Sequence, residues 1–137
     1  MRHETSRPAA ASLLVLVAAI SVIAACTRYD VAQLRGDWRA EYPFGTETLT
    51  LRADGRYEQR FVLKSTGEVT TRSGKWEYDT RDGRLVVHDC MDVVEDFVKL
   101  RQDYKTSKVT SVMMPEREHL FYGRLVLGSE EYPLRKQ

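Results

Sequence analysis

Between residues 46 and 64 the chain alternates between apolar and polar positions. In the stretch TETLTLRA, residues 46–53, Leu49 and Leu51 share one face, and Thr48, Thr50 and Arg52 share the other. A period of two marks a half-buried strand, because successive side chains point to opposite faces. Asp54-Gly55 then supplies a two-residue hairpin signal, since a type I′ turn needs positive φ at both central positions. RYEQRFVLK follows, with Tyr57, Phe61 and Leu63 on one face and Arg56, Glu58, Arg60 and Lys64 on the other. Residues 46–64 therefore read as a β-hairpin.

The same grammar runs along most of the chain. LRGDWRAEY (34–42) carries Trp38 and Tyr42 with polar residues between them, and Pro43-Phe44-Gly45 ends it as a turn. EVTTRSGKWEYDT (68–80) puts Trp76 and Tyr78 on one face, Arg81-Asp82-Gly83 turns the chain, and RLVVHDC (84–90) alternates again. Further strand patterns cover 108–114, 117–127 and 130–136, the last with Pro133 suited to an edge. One segment breaks the rule. In 91–104, Val93, Val94, Phe97, Val98, Leu100 and Tyr104 fall at helical spacing, with Asp92 as a cap and Glu95 three residues on. This predicts one short helix near residues 92–103. The sum is a mainly all-β chain: a small antiparallel up-and-down β-barrel of about eight strands, closed on itself to remove its edges.

The first 25 residues differ in kind. Arg2 and Arg7 precede an apolar run from Ala9 to Ala25, interrupted only by Ser12 and Ser21. A positive segment, an apolar core and small residues at the end make the layout of a secretory signal. Its last four residues, Ile23-Ala24-Ala25-Cys26, resemble the bacterial lipobox. The resemblance implies cleavage before Cys26 and lipidation of the Cys26 thiol, with several acyl chains, palmitate among them, anchoring the protein. Thr27 follows the cysteine; the absence of Asp there favours the outer membrane, facing the periplasm, in a Gram-negative host. The expected organisation is a cleaved signal over 1–25, a lipidated N-terminus and tether over 26–34, and a barrel domain over 35–137.

Composition limits what the barrel can do. Of 137 residues, 42% are hydrophobic, enough for one packed domain. Formal net charge is +1, and the chain beyond the apolar run carries 19 basic and 19 acidic residues. Such a balance gives no basic patch for nucleic acid and no polybasic attraction to lipid. With Cys26 assigned to lipid, Cys90 stands alone and no disulfide framework is expected.

Candidate chemistry is sparse. HDCMD, residues 88–92, is the one cluster of metal-ligand types, with His88 and Cys90 expected on one strand face and Asp92 beyond. Three ligands are too few for a closed zinc site, so no metal and no cofactor is assigned. There is no Gly-x-Ser-x-Gly elbow and no phosphate-cradling loop, and the one nucleophile–base pair on offer, Cys90 with His119, has no orienting group assigned to it, so the expected role is not enzymatic. The aromatic residues Trp38, Tyr57, Phe61, Trp76, Tyr78, Phe121 and Tyr122 either fill the core or line a pocket. LRGDWRAEY, LTLRADGRYEQRF, Gly74-Lys75-Trp76 and LVVHD together resemble a lipocalin-like bacterial pattern over residues 34–90, and more loosely beyond. The folded part is shorter than a full lipocalin. The resemblance implies a barrel able to hold a small apolar ligand, with Trp38, Tyr57, Phe61, Trp76 and Tyr78 as candidate ligand-binding residues. The competing expectation is a protein-interaction module, such as an envelope assembly factor or an enzyme inhibitor.

Overall fold

A computed structural model describes residues 28–95, 99–119, 123–128 and 131–137. The signal segment, the lipobox and Cys26 lie outside the described residues, as do Phe97, Val98, Phe121 and Tyr122.

The described chain begins with a single helical turn, α1 (Val31–Leu34), started by a capping box: Asp30 Oδ1 accepts from the Ala32 amide and Gln33 Oε1 accepts from the Asp30 amide. Its last residue, Leu34, is fully buried, so the expected tether ends as a plug over the core. Eleven strands follow: β1 (Gly36–Tyr42), β2 (Gly45–Leu51), β3 (Arg56–Leu63), β4 (Val69–Asp79), β5 (Arg84–Cys90), β6 (Val94–Glu95), β7 (Lys99–Leu100), β8 (Val109–Met113), β9 (Glu116–Arg117), β10 (Leu125–Leu127) and β11 (Leu134–Lys136). Nine of them form one antiparallel sheet in the order β8-β5-β4-β3-β2-β1-β11-β10-β9, and β6 pairs with β7 separately.

This sheet has to roll. Its two edge strands, β8 and β9, are joined in the chain by Met114 and Pro115 alone. Three peptide steps span at most about 11 Å, whereas nine flat strands would be roughly 38 Å across. The sheet therefore curls into an open barrel-like shell, with Pro115, which has no N–H to give a ladder, at the corner of the seam. The first strand closes against the last, with Trp38 opposite Lys136 and Arg39 opposite Arg135. The expected all-β, antiparallel, barrel-like architecture is the one observed, but the expected closure is not: among the described residues the sheet has nine strands, and β8 and β9 remain edges that do not pair with each other.

Inside the shell lie Trp38, Ala40, Leu49, Leu51, Tyr57, Phe61, Leu85, Val87 and Leu127, all nearly fully buried. Burying each of the larger ones contributes about 1.5–3 kcal/mol. Along β4 the partner changes: residues 69–75 pair with β3 and residues 76–79 with β5. Gly74 sits at this change of partner. A Cβ there would lie 2.7 Å from Tyr57 Cε1 and 2.9 Å from the His88 carbonyl oxygen, so only glycine lets the strands approach.

Four local expectations need correction. No helix forms over the described part of 92–103. Val94 pairs with Leu100 and Glu95 with Lys99 as a short ladder, and the Arg101 amide reaches the Val93 carbonyl at 3.3 Å. The cap is lost because the Asp92 carboxylate is taken by Arg101, and the preceding Met91 backbone is held on both sides by Gln59. The turn at Asp54-Gly55 is longer than two residues: Arg52 and Arg56 still pair, and only Gly55 has positive φ. That is the three-residue loop whose last residue takes the left-handed conformation. The single strand expected over 117–127 divides into β9 and β10, which pair with each other, Gly123 bending back at φ 100°. Finally, His88 and Cys90 do not share a face. Asp89 adopts φ 55° in a bulge between Val87 and Cys90, which turns the buried Cys90 inward and leaves His88 outside.

Candidate functional site

The shell encloses a half-open cavity of about 560 Å³, within the ~300–1,000 Å³ typical of small-molecule sites. Its apolar wall comes from Leu49 on β2, Val87 on β5, Val109 and Met113 on β8, Leu127 on β10 and Leu134 on β11. Its polar corner comes from Tyr42, Glu47, Gln59, Cys90, Asp92 and Arg101.

Glu47 is the unusual member. On β2 the inward positions are Gly45, Glu47, Leu49 and Leu51, so strand parity sends the carboxyl into the core, where it is 6% exposed. Gln59 is inward for the same reason, between Tyr57 and Phe61 on β3. The Tyr42 hydroxyl donates to Glu47 Oε2 at 2.8 Å, and Gln59 Nε2 donates to Oε1 at 2.8 Å. Gln59 also donates to the Met91 carbonyl (3.1 Å) and accepts from the Met91 amide (2.6 Å), tying the segment after β5 to the barrel wall. Burial pushes the Glu47 carboxyl above the ordinary carboxylate range. Hydrogen bonds from Gln59 and Tyr42 pull it partly back, and the charge of Asp92 adds to the rise. Burial, followed by the charge of Glu47, likewise raises the Tyr42 phenol.

At the rim, Arg101 bridges two acids. It gives one guanidinium nitrogen to Asp92 at 2.5 Å and two to Asp103 at 3.0 Å each. The Cys90 thiol points inward, donates to the Val109 carbonyl at 3.2 Å and is pushed up by burial, so it is held as a neutral thiol and a poor nucleophile. His88 faces outward against Glu77 at 3.1 Å. Among the described residues no three His, Cys, Asp or Glu side chains converge on a point that would hold a metal. Also among them, no helix is long and apolar enough to cross a membrane.

None of the five aromatic residues singled out in the sequence lines this cavity. Trp38 is fully buried and donates from Nε1 to the Leu34 carbonyl at 2.9 Å, beneath α1. Tyr57 is buried, its hydroxyl donates to the His88 carbonyl at 2.8 Å, and burial pushes that phenol up to about 12. Phe61 packs edge-on against Tyr104 at 5.2 Å. Trp76 covers the β2–β3 turn, donating from Nε1 to the Arg52 carbonyl at 2.9 Å. Tyr78 is half-buried, and its hydroxyl accepts from the Tyr29 amide at 3.3 Å. The first four build the shell, and Tyr78 ties the N-terminal segment to it. The residues that sequence reasoning missed, Glu47 and Gln59, carried a signal: each is a polar residue in phase with a buried apolar series.

In comparisons with family models, with curated proteins and with solved structures, nothing matches this chain. The class that fold and site define is therefore a structural one: a small antiparallel, barrel-like shell with an internal cavity.

Proposed function

We propose that this chain is a non-enzymatic binding protein of the bacterial envelope, anchored through lipid on Cys26, that holds a small molecule with an apolar body inside the barrel. The observation that carries the reading is the cavity of about 560 Å³ between β2, β5, β8 and the C-terminal strands. A packed core of this size has few voids larger than a water molecule, so such a space is a feature to be explained. The lipobox motif supports the location.

Native mass spectrometry of the full chain, processed by its host and extracted gently, tests both parts. The expected spectrum shows a chain beginning at an acylated Cys26 plus an adduct that leaves on denaturation. A bare, unacylated mass with no adduct would defeat the reading.

A second reading, a protein-interaction module, draws on the β8 edge. Val112 and Met114 are large apolar side chains that stand 55% and 59% exposed beside the open seam.

A further inference from the structure

The cavity joins an apolar wall to a carboxyl group that has hydrogen bonds but no counter-charge. Tyr42 and Gln59 each give Glu47 one hydrogen bond, one to each carboxylate oxygen. A carboxylate offers about four acceptor positions, so roughly two remain open. Among the described residues no Lys, Arg or His forms an ion pair with Glu47. The cation on the cavity lining, Arg101, is already shared between Asp92 and Asp103.

The groups around Glu47 can be taken element by element. β1 contributes the Tyr42 hydroxyl, and Ala40 stands directly opposite in the ladder. β3 contributes Gln59, with Phe61 opposite. The end of β5 contributes the Cys90 thiol, and the segment after it contributes Asp92, whose negative charge acts on Glu47 directly. Every charge that acts on Glu47 from these elements is negative. A buried carboxylate with no cation is costly to ionise, and a cation brought to it in a low-dielectric cavity is correspondingly well held.

We propose that the cavity takes a cationic amphiphile, a molecule with an alkylammonium or other amine head and an apolar tail, whose head seats on Glu47 while the tail lies against Leu49, Val87, Leu127 and Leu134. This rests on the reading of the cavity as a ligand site and adds the chemistry of the ligand. An anionic amphiphile such as a fatty acid is disfavoured, because its carboxylate would meet Glu47 and Asp92 with Arg101 already engaged. An ammonium head favours the ionised form of Glu47, so its binding opposes the upward push of burial and draws off any proton the carboxyl carries. Affinity therefore rises with pH through the titration of Glu47, until the amine itself loses its charge.

The test is isothermal titration of the full chain in a non-ionic detergent, with empty micelles subtracted. The probes are n-hexylammonium, n-hexanol and hexanoate, each run in two buffers of different ionisation enthalpy. The wild type should bind hexylammonium at least about tenfold more tightly than hexanol, as a charge-assisted hydrogen bond to a buried group requires. Hexanoate should bind most weakly, and hexylammonium should be the one probe whose binding releases protons as the pH is lowered through the titration of Glu47. E47Q should bind hexylammonium no better than hexanol and release no proton. If hexanol binds as well as hexylammonium, or if the amine preference survives in E47Q, the cationic assignment is overturned and the cavity reading stands. If none of the three probes binds, both fall. Should E47Q fail to fold, the probe ranking and the proton count of the wild type decide the matter by themselves.

Discussion

Glu47 shows how one residue can set the response of the molecule to pH. Its carboxyl is raised above the ordinary range by burial, so the folded state holds the proton more tightly than the unfolded chain does. An unfolded glutamate titrates near ~4.3. The stability contributed by this group is thus fully present below that value and is lost as pH rises through the higher folded value. E47Q keeps the shape and removes the charge. Its urea midpoint should fall less than that of the wild type as pH rises from about 4.3, and the two curves should converge at the acid end. Parallel curves would show that Glu47 titrates as it does in water. Asp103 at the exposed rim behaves oppositely: hydrogen bonds from Arg101 hold its carboxyl below the usual range. Parity alone places Glu47 and Gln59 inside, and both were legible in the sequence to a reading that counted polar residues in phase. Their pairing with each other, with Tyr42 and with the Met91 backbone was not legible, because it depends on which strands lie side by side.

At the scale of elements, β4 joins the two parts of the sheet. It pairs with β3 up to Lys75 and with β5 from Trp76, and Gly74 lies just before that change of partner. The space for a methyl group there is occupied by the Tyr57 ring and by backbone oxygen. G74A should destabilise the fold by about 1–3 kcal/mol, the usual cost of overpacking a tight site, read as a lower midpoint in thermal or urea unfolding. A stability equal to wild type would mean that the corner has slack. The same scale explains why the expectation for 92–103 failed. Helical spacing of apolar residues is a local signal, and a single turn of helix is marginal without tertiary support. Here tertiary contacts favour extended chain. Gln59 fixes Met91, Arg101 claims Asp92, and Val93 is buried against the barrel. The hairpins, by contrast, rest on alternation and turn residues that lie within a few positions of one another, and they were readable from the sequence. Only the details of the turns changed, as at Gly55.

For the whole molecule, the open question is what meets the seam. β8 and β9 are the edges of the sheet, and Val112 and Met114 expose apolar surface beside it. If this edge serves a protein partner, the double substitution V112D/M114D should abolish its co-purification with cross-linked envelope proteins while leaving the occupancy of the cavity unchanged. Unchanged cross-linking would remove the edge from consideration as a docking surface. The cavity and the edge are separable because their residues point to opposite faces of β8: Ser111 and Met113 line the cavity, and Val112 stands outside.

The amino-acid sequence by itself determined the class of fold, the location of most strands and the turns between them. These follow from period-two alternation and from Gly, Asp and Pro at turns, which act over a few residues of chain. The tertiary structure alone decided where the cavity lies and what surrounds it. Trp38, Tyr57, Phe61 and Trp76 are large enough to be either core or pocket lining, and only the curl of the sheet assigns them to packing. Glu47 on β2 and the 90–101 stretch that carries Cys90, Asp92 and Arg101 are far apart in sequence, and they meet because the sheet rolls. A bulge at Asp89 then reverses the parity of the residue after it. Alternation states which side of a strand a residue occupies. The roll of the sheet states which residues it will meet there, and that depends on contacts far apart in sequence.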